Sequence, residues 1–196
     1  MIDIRKTYRS RSRISEITLS CELGGSRIIG LYGPSGVGKT TVLKVLAGLE
    51  EKDVCKAILG GKSIQEFHQN KDVSIVFQDA FLPMKLTVKE ALNLLTVDSE
   101  RKFEAVRKLD VEAFENDRIK NLSQGQRQRA AIVACLYSGK NLILMDEPFS
   151  AIGDNHINMV CEILRQEIDQ SQSRIALICS HRRDILDMLC GEIISM

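Results

Sequence analysis

The sequence predicts an α/β fold: a mainly parallel sheet, an antiparallel N-terminal β portion, and a block of helices inserted into the middle of the chain. Three observations predict it. A glycine-rich run, Gly33 to Thr40, stands between a strand-like and a helix-like segment. Apolar runs of strand length recur at Val73 to Phe77, Leu142 to Met145 and Ile175 to Cys179, as expected of strands buried on both faces. Between Phe81 and Gly139 the apolar residues fall mostly at helical spacing.

The elements follow in chain order. Ile14 to Cys21 alternates apolar and polar residues, Gly24-Gly25 supplies a turn, and Arg27 to Tyr32 reads as a second strand. The first thirty residues are therefore expected to form antiparallel sheet ending in a buried strand. From Lys39 onward Val42, Leu43, Val45, Leu46 and Leu49 recur at helical spacing, with Gly48 near the end. Thr87 to Leu95, Glu100 to Phe114 and Ser123 to Tyr137 fit amphipathic helices. No repeat or low-complexity tract interrupts the chain, and its three prolines form no linker. A single domain over residues 1–196 is expected, with a core of about 1–80 and 140–196 and a helical subdomain of about 81–139.

Hydrophobic residues at 44% and charged residues at 27% are ordinary for a soluble globular chain. The formal net charge of +1 gives no electrostatic reason to expect nucleic acid as the main partner. No apolar run approaches the roughly 20 residues that cross a bilayer. Arg5, Lys6, Arg9, Arg11 and Arg13 break up any signal-peptide core, so a cytoplasmic protein is expected. Six cysteines without a C-x-x-C pair read as small hydrophobes, and three dispersed histidines suggest no metal site.

The run Gly33-Pro34-Ser35-Gly36-Val37-Gly38-Lys39-Thr40 fits G-x-x-x-x-G-K-[ST], the P-loop. Its glycines let backbone N–H groups turn inward around anionic oxygens, and the following helix points its positive end at them. Lys39 is expected to reach the β- and γ-phosphates, the Thr40 hydroxyl to ligate Mg²⁺, and Thr41 to add a phosphate contact. A second acidic element narrows the field. Leu142-Ile143-Leu144-Met145-Asp146-Glu147 is a buried strand ending in two carboxylates. Asp146 is then placed for the magnesium shell, and Glu147 to accept a proton from attacking water.

Leu122-Ser123-Gln124-Gly125-Gln126 resembles the signature run of ABC ATPases, usually LSGGQ, with Gln124 in place of the first glycine. Physically, Ser123 and Gln126 form an S-x-x-Q capping box, leaving a helix N-terminus suited to an anion. The resemblance spans nearly the whole chain and implies a P-loop NTPase core with a RecA-like parallel sheet. It further implies that Ser123, Gln124, Gly125 and Gln126 contact the γ-phosphate held by a second protomer. Tyr8, 25 residues before Gly33, matches the aromatic that stacks on adenine; a tyrosine filling a gap in the sheet is the alternative. Gln78 matches the Q-loop glutamine that senses Mg²⁺ and water, Ser180-His181 the switch histidine, and Pro148 to Ala151 the turn into the D-loop.

The sequence departs from the family pattern in three places. Besides Gln124, Gly153 stands where the D-loop usually has aspartate; Asp154 either serves one residue later or caps the next helix. The chain also ends fifteen residues after His181, leaving no C-terminal regulatory domain in the reading. What the resemblance implies is Mg²⁺-dependent ATP hydrolysis with Lys39, Gln78, Glu147 and His181 as catalytic residues, in a head-to-tail dimer, as a homodimer. The expected partner is a transmembrane permease subunit on the inner face of the cell membrane, in an importer of a small solute. Phe81, Leu82 and Met84, beside Gln78, are either its docking residues or core. A non-transport ABC ATPase and a P-loop kinase are the competing classes. The basic run Tyr8 to Arg13 reads as a solvated strand or turn more readily than as a phosphate contact.

Overall fold

The computed structural model describes residues 1–9, 14–51, 53–97 and 99–196, without the side chains of Tyr8, Arg9, Ile14, Ser15 and Val54. Nine strands are assigned among them: β1 Ile2–Arg9, β2 Ile14–Cys21, β3 Ile28–Tyr32, β4 Val54–Leu59, β5 Lys62–Ser63, β6 Val73–Val76, β7 Leu142–Asp146, β8 Ile175–Ser180 and β9 Glu192–Ser195. The α-helices are α1 Lys39–Leu46, α2 Ile64–Gln69, α3 Val88–Leu95, α4 Glu100–Lys108, α5 Gln124–Leu136, α6 Asp154–Asp169 and α7 Arg183–Leu189.

The strands form two sheets, an antiparallel one ordered β2-β1-β4-β5 and a five-stranded parallel one ordered β6-β7-β8-β3-β9. Alternation along the parallel strands sends side chains to two cores. Leu142 and Leu144 of β7, Leu177 and Cys179 of β8, and Ile29 and Leu31 of β3 pack with α1, α2 and the antiparallel sheet. Ile143, Met145, Ala176, Ile178 and Ile28 face the other way, into a core shared with α3 to α7. Covering both faces is why these strands read as unbroken apolar runs. Each fully buried Leu or Ile contributes roughly 1.5–3 kcal/mol.

Two expectations from sequence are corrected. Arg27 to Tyr32 does not close a hairpin on Ile14 to Cys21: β2 pairs with β1, and β3 lies between β8 and β9. The alternating β2 suits a sheet with one wet face, whereas Ile28–Leu31 is buried throughout and belongs at the centre of a parallel sheet. The helix expected over Glu100 to Phe114 stops at Lys108, because Asp110 turns left-handed at φ 58°, and only a short 3₁₀ turn, Glu112–Phe114, follows.

A buried polar network joins the helices to the sheet. Glu167 of α6, 4% exposed, accepts from Arg174 at 2.9 Å and from the Tyr137 hydroxyl at 3.3 Å, and pairs with Arg101 of α4 at 3.5 Å. Arg174 also donates to the carbonyls of Leu136 and Lys140. Burial pushes the Tyr137 phenol well above its ordinary range. None of the six cysteines is joined in a disulfide, and burial raises the Cys135 thiol to about 11. Among the described residues no helix is long and apolar enough to cross a membrane. Arg11 and Arg13 of the basic N-terminal run lie outside the described residues.

Candidate functional site

Sheet register builds the site. Val76 pairs with Met145, Asp146 with Cys179, and Tyr32 with Ser180. Extending each strand by one or two residues brings Gln78, Glu147, His181 and Gly33 to the same edge, the carboxyl ends of four adjacent strands. Open α/β sheets bind ligands at that edge.

The Gly33–Gly38 loop links β3 to α1 and is turned by its glycines. Gly38, the N-cap of α1, has φ 119°, and a Cβ there would lie 2.8 Å from Ile17 of β2. Only glycine meets both conditions, and the antiparallel sheet is thereby seated against the loop. Lys39 begins α1, is 6% exposed, and donates to the carbonyls of Gly33 at 2.8 Å and Pro34 at 3.1 Å. Its ammonium group is thus curled over its own loop and lies 3.5 Å from the Glu147 carboxylate.

Glu147 is the hub. Its Oε2 lies 2.9 Å from His181 Nδ1 and accepts from the Ser180 hydroxyl at 3.3 Å, while Oε1 accepts from the His181 backbone N–H at 3.0 Å. A carboxylate offers only acceptors, so His181 carries its proton on Nδ1 and leaves Nε2 toward solvent. The backbone of Glu147 sits in the left-handed region at φ 46°. Such a conformation in a non-glycine residue costs on the order of 1–3 kcal/mol and is held here by the Glu147 N–H to Cys179 carbonyl bond at 2.9 Å.

Asp146 is buried; its Oδ2 accepts from the Thr40 hydroxyl at 2.7 Å, but its Oδ1 has no hydrogen-bond partner among the described residues. Burial pushes the Asp146 carboxyl above the usual carboxylate range, the Thr40 bond opposing it and the neighbouring Glu147 adding to it. A buried oxygen without a donor, beside a hydroxyl, is a donor set suited to a hard divalent cation such as Mg²⁺.

The second feature is the start of α5. Ser123 Oγ accepts from the Gln126 N–H at 3.2 Å, and Gln126 Oε1 accepts from the Ser123 N–H at 2.9 Å, the capping box expected from sequence. Gln124 is exposed. Gly125 lies so close to the turn after β7 that a Cβ would stand 2.5 Å from the Ala151 carbonyl oxygen. These groups bond to one another and not to the Lys39 cluster. Nor does Gln78 join it: the residue is exposed just past β6, with no hydrogen bond among the described residues. Pro34, Ser35 and Gly36 are exposed on the loop and Thr40 in the first turn of α1, while Val37 and Thr41 are half-buried. Tyr8 sits in β1 opposite Ser15, its side chain outside those described. Asp154 is not a cap: it is the first residue of α6, behind an extended Gly153 with no side-chain cap, and it pairs with Arg182 at 3.6 Å.

Sequence reasoning missed the roles of Ile17 against Gly38 and of Ala151 against Gly125. Both are contacts across the fold, and no local pattern announces them.

A glycine loop joining strand to helix at the carboxyl edge of a parallel sheet, with a lysine and two strand-end carboxylates, defines a P-loop NTPase fold. The family model described as ABC transporter matches residues 16–150. The chain belongs to that family. It is 35% identical over 159 residues to the probable sulfate/thiosulfate import ATP-binding protein of Chlorella vulgaris, covering 76% of this chain and 66% of that one. To the spermidine/putrescine import ATP-binding protein of Lawsonia intracellularis it is 31% identical over 184 residues, covering 89% and 48%. The chain thus spans less than two thirds of the length of either relative. The dimeric structure of the bacterial ABC transporter cassette MJ0796 superposes with a TM-score of 0.80 at 22% identity, covering 100% of this chain and 94% of that one. The same cassette bound to ADP and phosphate matches equally well.

Proposed function

We propose that this chain is the ATP-binding and ATP-hydrolysing subunit of an ABC importer of a small solute. It works as a homodimer on the inner face of the membrane. The observation that carries the reading is the Glu147 hub, where Lys39, Ser180 and His181 converge at the strand ends beside the Thr40–Asp146 pair.

In this reading Gly33 to Thr41 wrap the phosphates with backbone N–H groups, and Lys39 exchanges the carbonyls of Gly33 and Pro34 for phosphate oxygens. Thr40 and Asp146, with Gln78, are the residues that hold Mg²⁺, which when bound offsets phosphate charge. Glu147 accepts the proton of the attacking water, and His181, its proton fixed on Nδ1, steadies the terminal phosphate through Nε2. Tyr8 stacks on the adenine. Ser123, Gln124, Gly125 and Gln126 present their capped helix end to the phosphate on the opposite protomer.

For the permease, the fitting surface lies beside Gln78. Phe81 is 78% exposed and Met84 51%, while Leu82 packs inward against the core. Phe81 and Leu82 border a cleft of about 300 Å³ together with Phe77 and Leu95. The importer assignment is supported by relatives named as import ATP-binding proteins. The test is to purify the tagged protein from gently solubilised membranes of its host and assay the preparation for phosphate release. Stoichiometric recovery with a polytopic membrane protein supports the proposal. Recovery only from the soluble fraction, with ATPase activity intact, replaces it with a non-transport ABC ATPase, and phosphate passed to an added acceptor rather than water replaces it with a kinase.

A further inference from the structure

Gln128 is 0% exposed, and among the described residues neither its side-chain nitrogen nor its oxygen has a hydrogen-bond partner. A buried amide without partners is uncommon in folded proteins and asks for a reason. Arg127 and Arg129, its neighbours on α5, both bond to backbone carbonyls, of Leu122 and Leu109.

Its place follows from three contacts. Three residues earlier on the same helical face, Gly125 touches the Ala151 carbonyl of the turn after β7. Seven residues later, again on that face, Cys135 bonds to Ser74 of β6, and beyond the helix end Asn141 bonds to Asp72 at 2.8 Å. The helix therefore runs antiparallel to β6. Seven helical residues rise about 10 Å, and a strand needs about three residues for that distance. Counting forward from Ser74 places Gln128 level with Phe77 and Gln78. Ala131, three residues on, borders one cleft with Phe77, and Gly125, three residues before, meets the turn at 148–152, so the stretch of α5 that carries Gln128 runs between that turn and the residues after β6, where Ala80 is buried with φ 48°.

We propose that Gln128 is a positioning residue that locks the Ser123-capped end of α5 to the turns at 77–80 and 148–152 when two ATP-loaded chains close on each other. The proposal rests on the ATPase reading above. Among the described residues the amide has no partner; in the closed dimer its N–H donates to a carbonyl, and its oxygen accepts an N–H, from those turns. The arrangement lowers the standing of the open form relative to the closed one, because a buried unpaired amide is relieved only on closure.

The test uses the full chain carrying Gln128→Met, which keeps the length of the side chain and removes both polar atoms. Nucleotide-free melting is expected to stay level or to rise by about 2–4 °C, since an unpaired buried group is removed. The kcat for ATP is expected to fall about tenfold or more at unchanged KM, and ATP-driven dimerisation in a Glu147→Gln background to weaken by a similar factor. Unchanged kcat and dimerisation overturn the proposal, as does a lower melting temperature with normal kinetics, which marks a bond already made in the open form. Should the variant not fold, the Gln128 side-chain N–H₂ resonances of the Glu147→Gln protein decide. Slowed exchange on adding ATP supports the proposal, and no change overturns it. Wild-type protein that neither binds nor hydrolyses ATP overturns the ATPase reading as well, a result distinct from any of these.

Discussion

Replacing Gly125 by alanine adds one methyl group where the structure has no room for it. The new Cβ would sit 2.5 Å from the Ala151 carbonyl oxygen, whereas ordinary contact begins at 3.4 Å, so helix α5 and the turn after β7 must separate by close to 1 Å. The obstructing atom belongs to the backbone and cannot swing aside. Overpacking of this kind costs about 1–3 kcal/mol, and the gain in helix propensity from glycine to alanine returns about 1 kcal/mol. A net loss of roughly 0–2 kcal/mol lowers Tm by at most about 8 °C. Activity is far more sensitive, because a 1 Å misplacement can cost about 10²-fold in rate. Phosphate release at saturating ATP and Mg²⁺ is expected to fall on the order of 10²-fold with KM within about threefold of wild type, since the chain's own P-loop is untouched. A variant with kcat within about twofold of wild type and an unchanged Tm would refute the claim that this contact sets the helix end.

Three further outcomes are expected. Lys39→Ala removes the ammonium that bridges the Gly33 and Pro34 carbonyls to Glu147, and titration calorimetry should show ATP affinity reduced at least about tenfold. Glu167→Ala leaves Arg174 and the Tyr137 hydroxyl without their shared carboxylate; urea unfolding should show a loss of about 3–5 kcal/mol. For Asp146 the folded-state pKa is raised, so its ionisation weakens the nucleotide-free fold as pH rises from the ordinary aspartate value through the higher folded one. Asp146→Asn should therefore melt no lower than wild type at pH 7, with any advantage shrinking towards pH 4, while Mg²⁺-dependent ATP turnover is lost. A marked drop in Tm at pH 7 would contradict that sign.

Much of this was legible in the sequence because the chemistry is local. Ser123 and Gln126 are three residues apart and cap one helix, and a strand that ends in Asp146-Glu147 needs only its own pattern to be read. The Gly33 to Thr40 loop is likewise a contiguous device. What escaped depends on distant partners. Whether β3 pairs with β2 or inserts between β8 and β9 is decided by which face is covered, and β9 is only four residues long, too short to stand out. The convergence of Lys39, Ser180 and His181 on Glu147 joins three segments across the sheet edge. By residue type Asp154 could have capped the next helix, yet the extended backbone fell on Gly153, and the helix began at Asp154 itself, one residue earlier than a capping aspartate requires.

The central claim is that Glu147, held by Lys39, Ser180 and His181, is the proton acceptor for hydrolysis of ATP shared between two chains. The most direct test is single-turnover phosphate release by Glu147→Gln, with gel filtration of the same sample in ATP and Mg²⁺. The prediction is a stable ATP-bound dimer that hydrolyses at least about 10²-fold more slowly than wild type. Wild-type-like turnover, or slow turnover by a protein that stays monomeric with ATP bound, would contradict it.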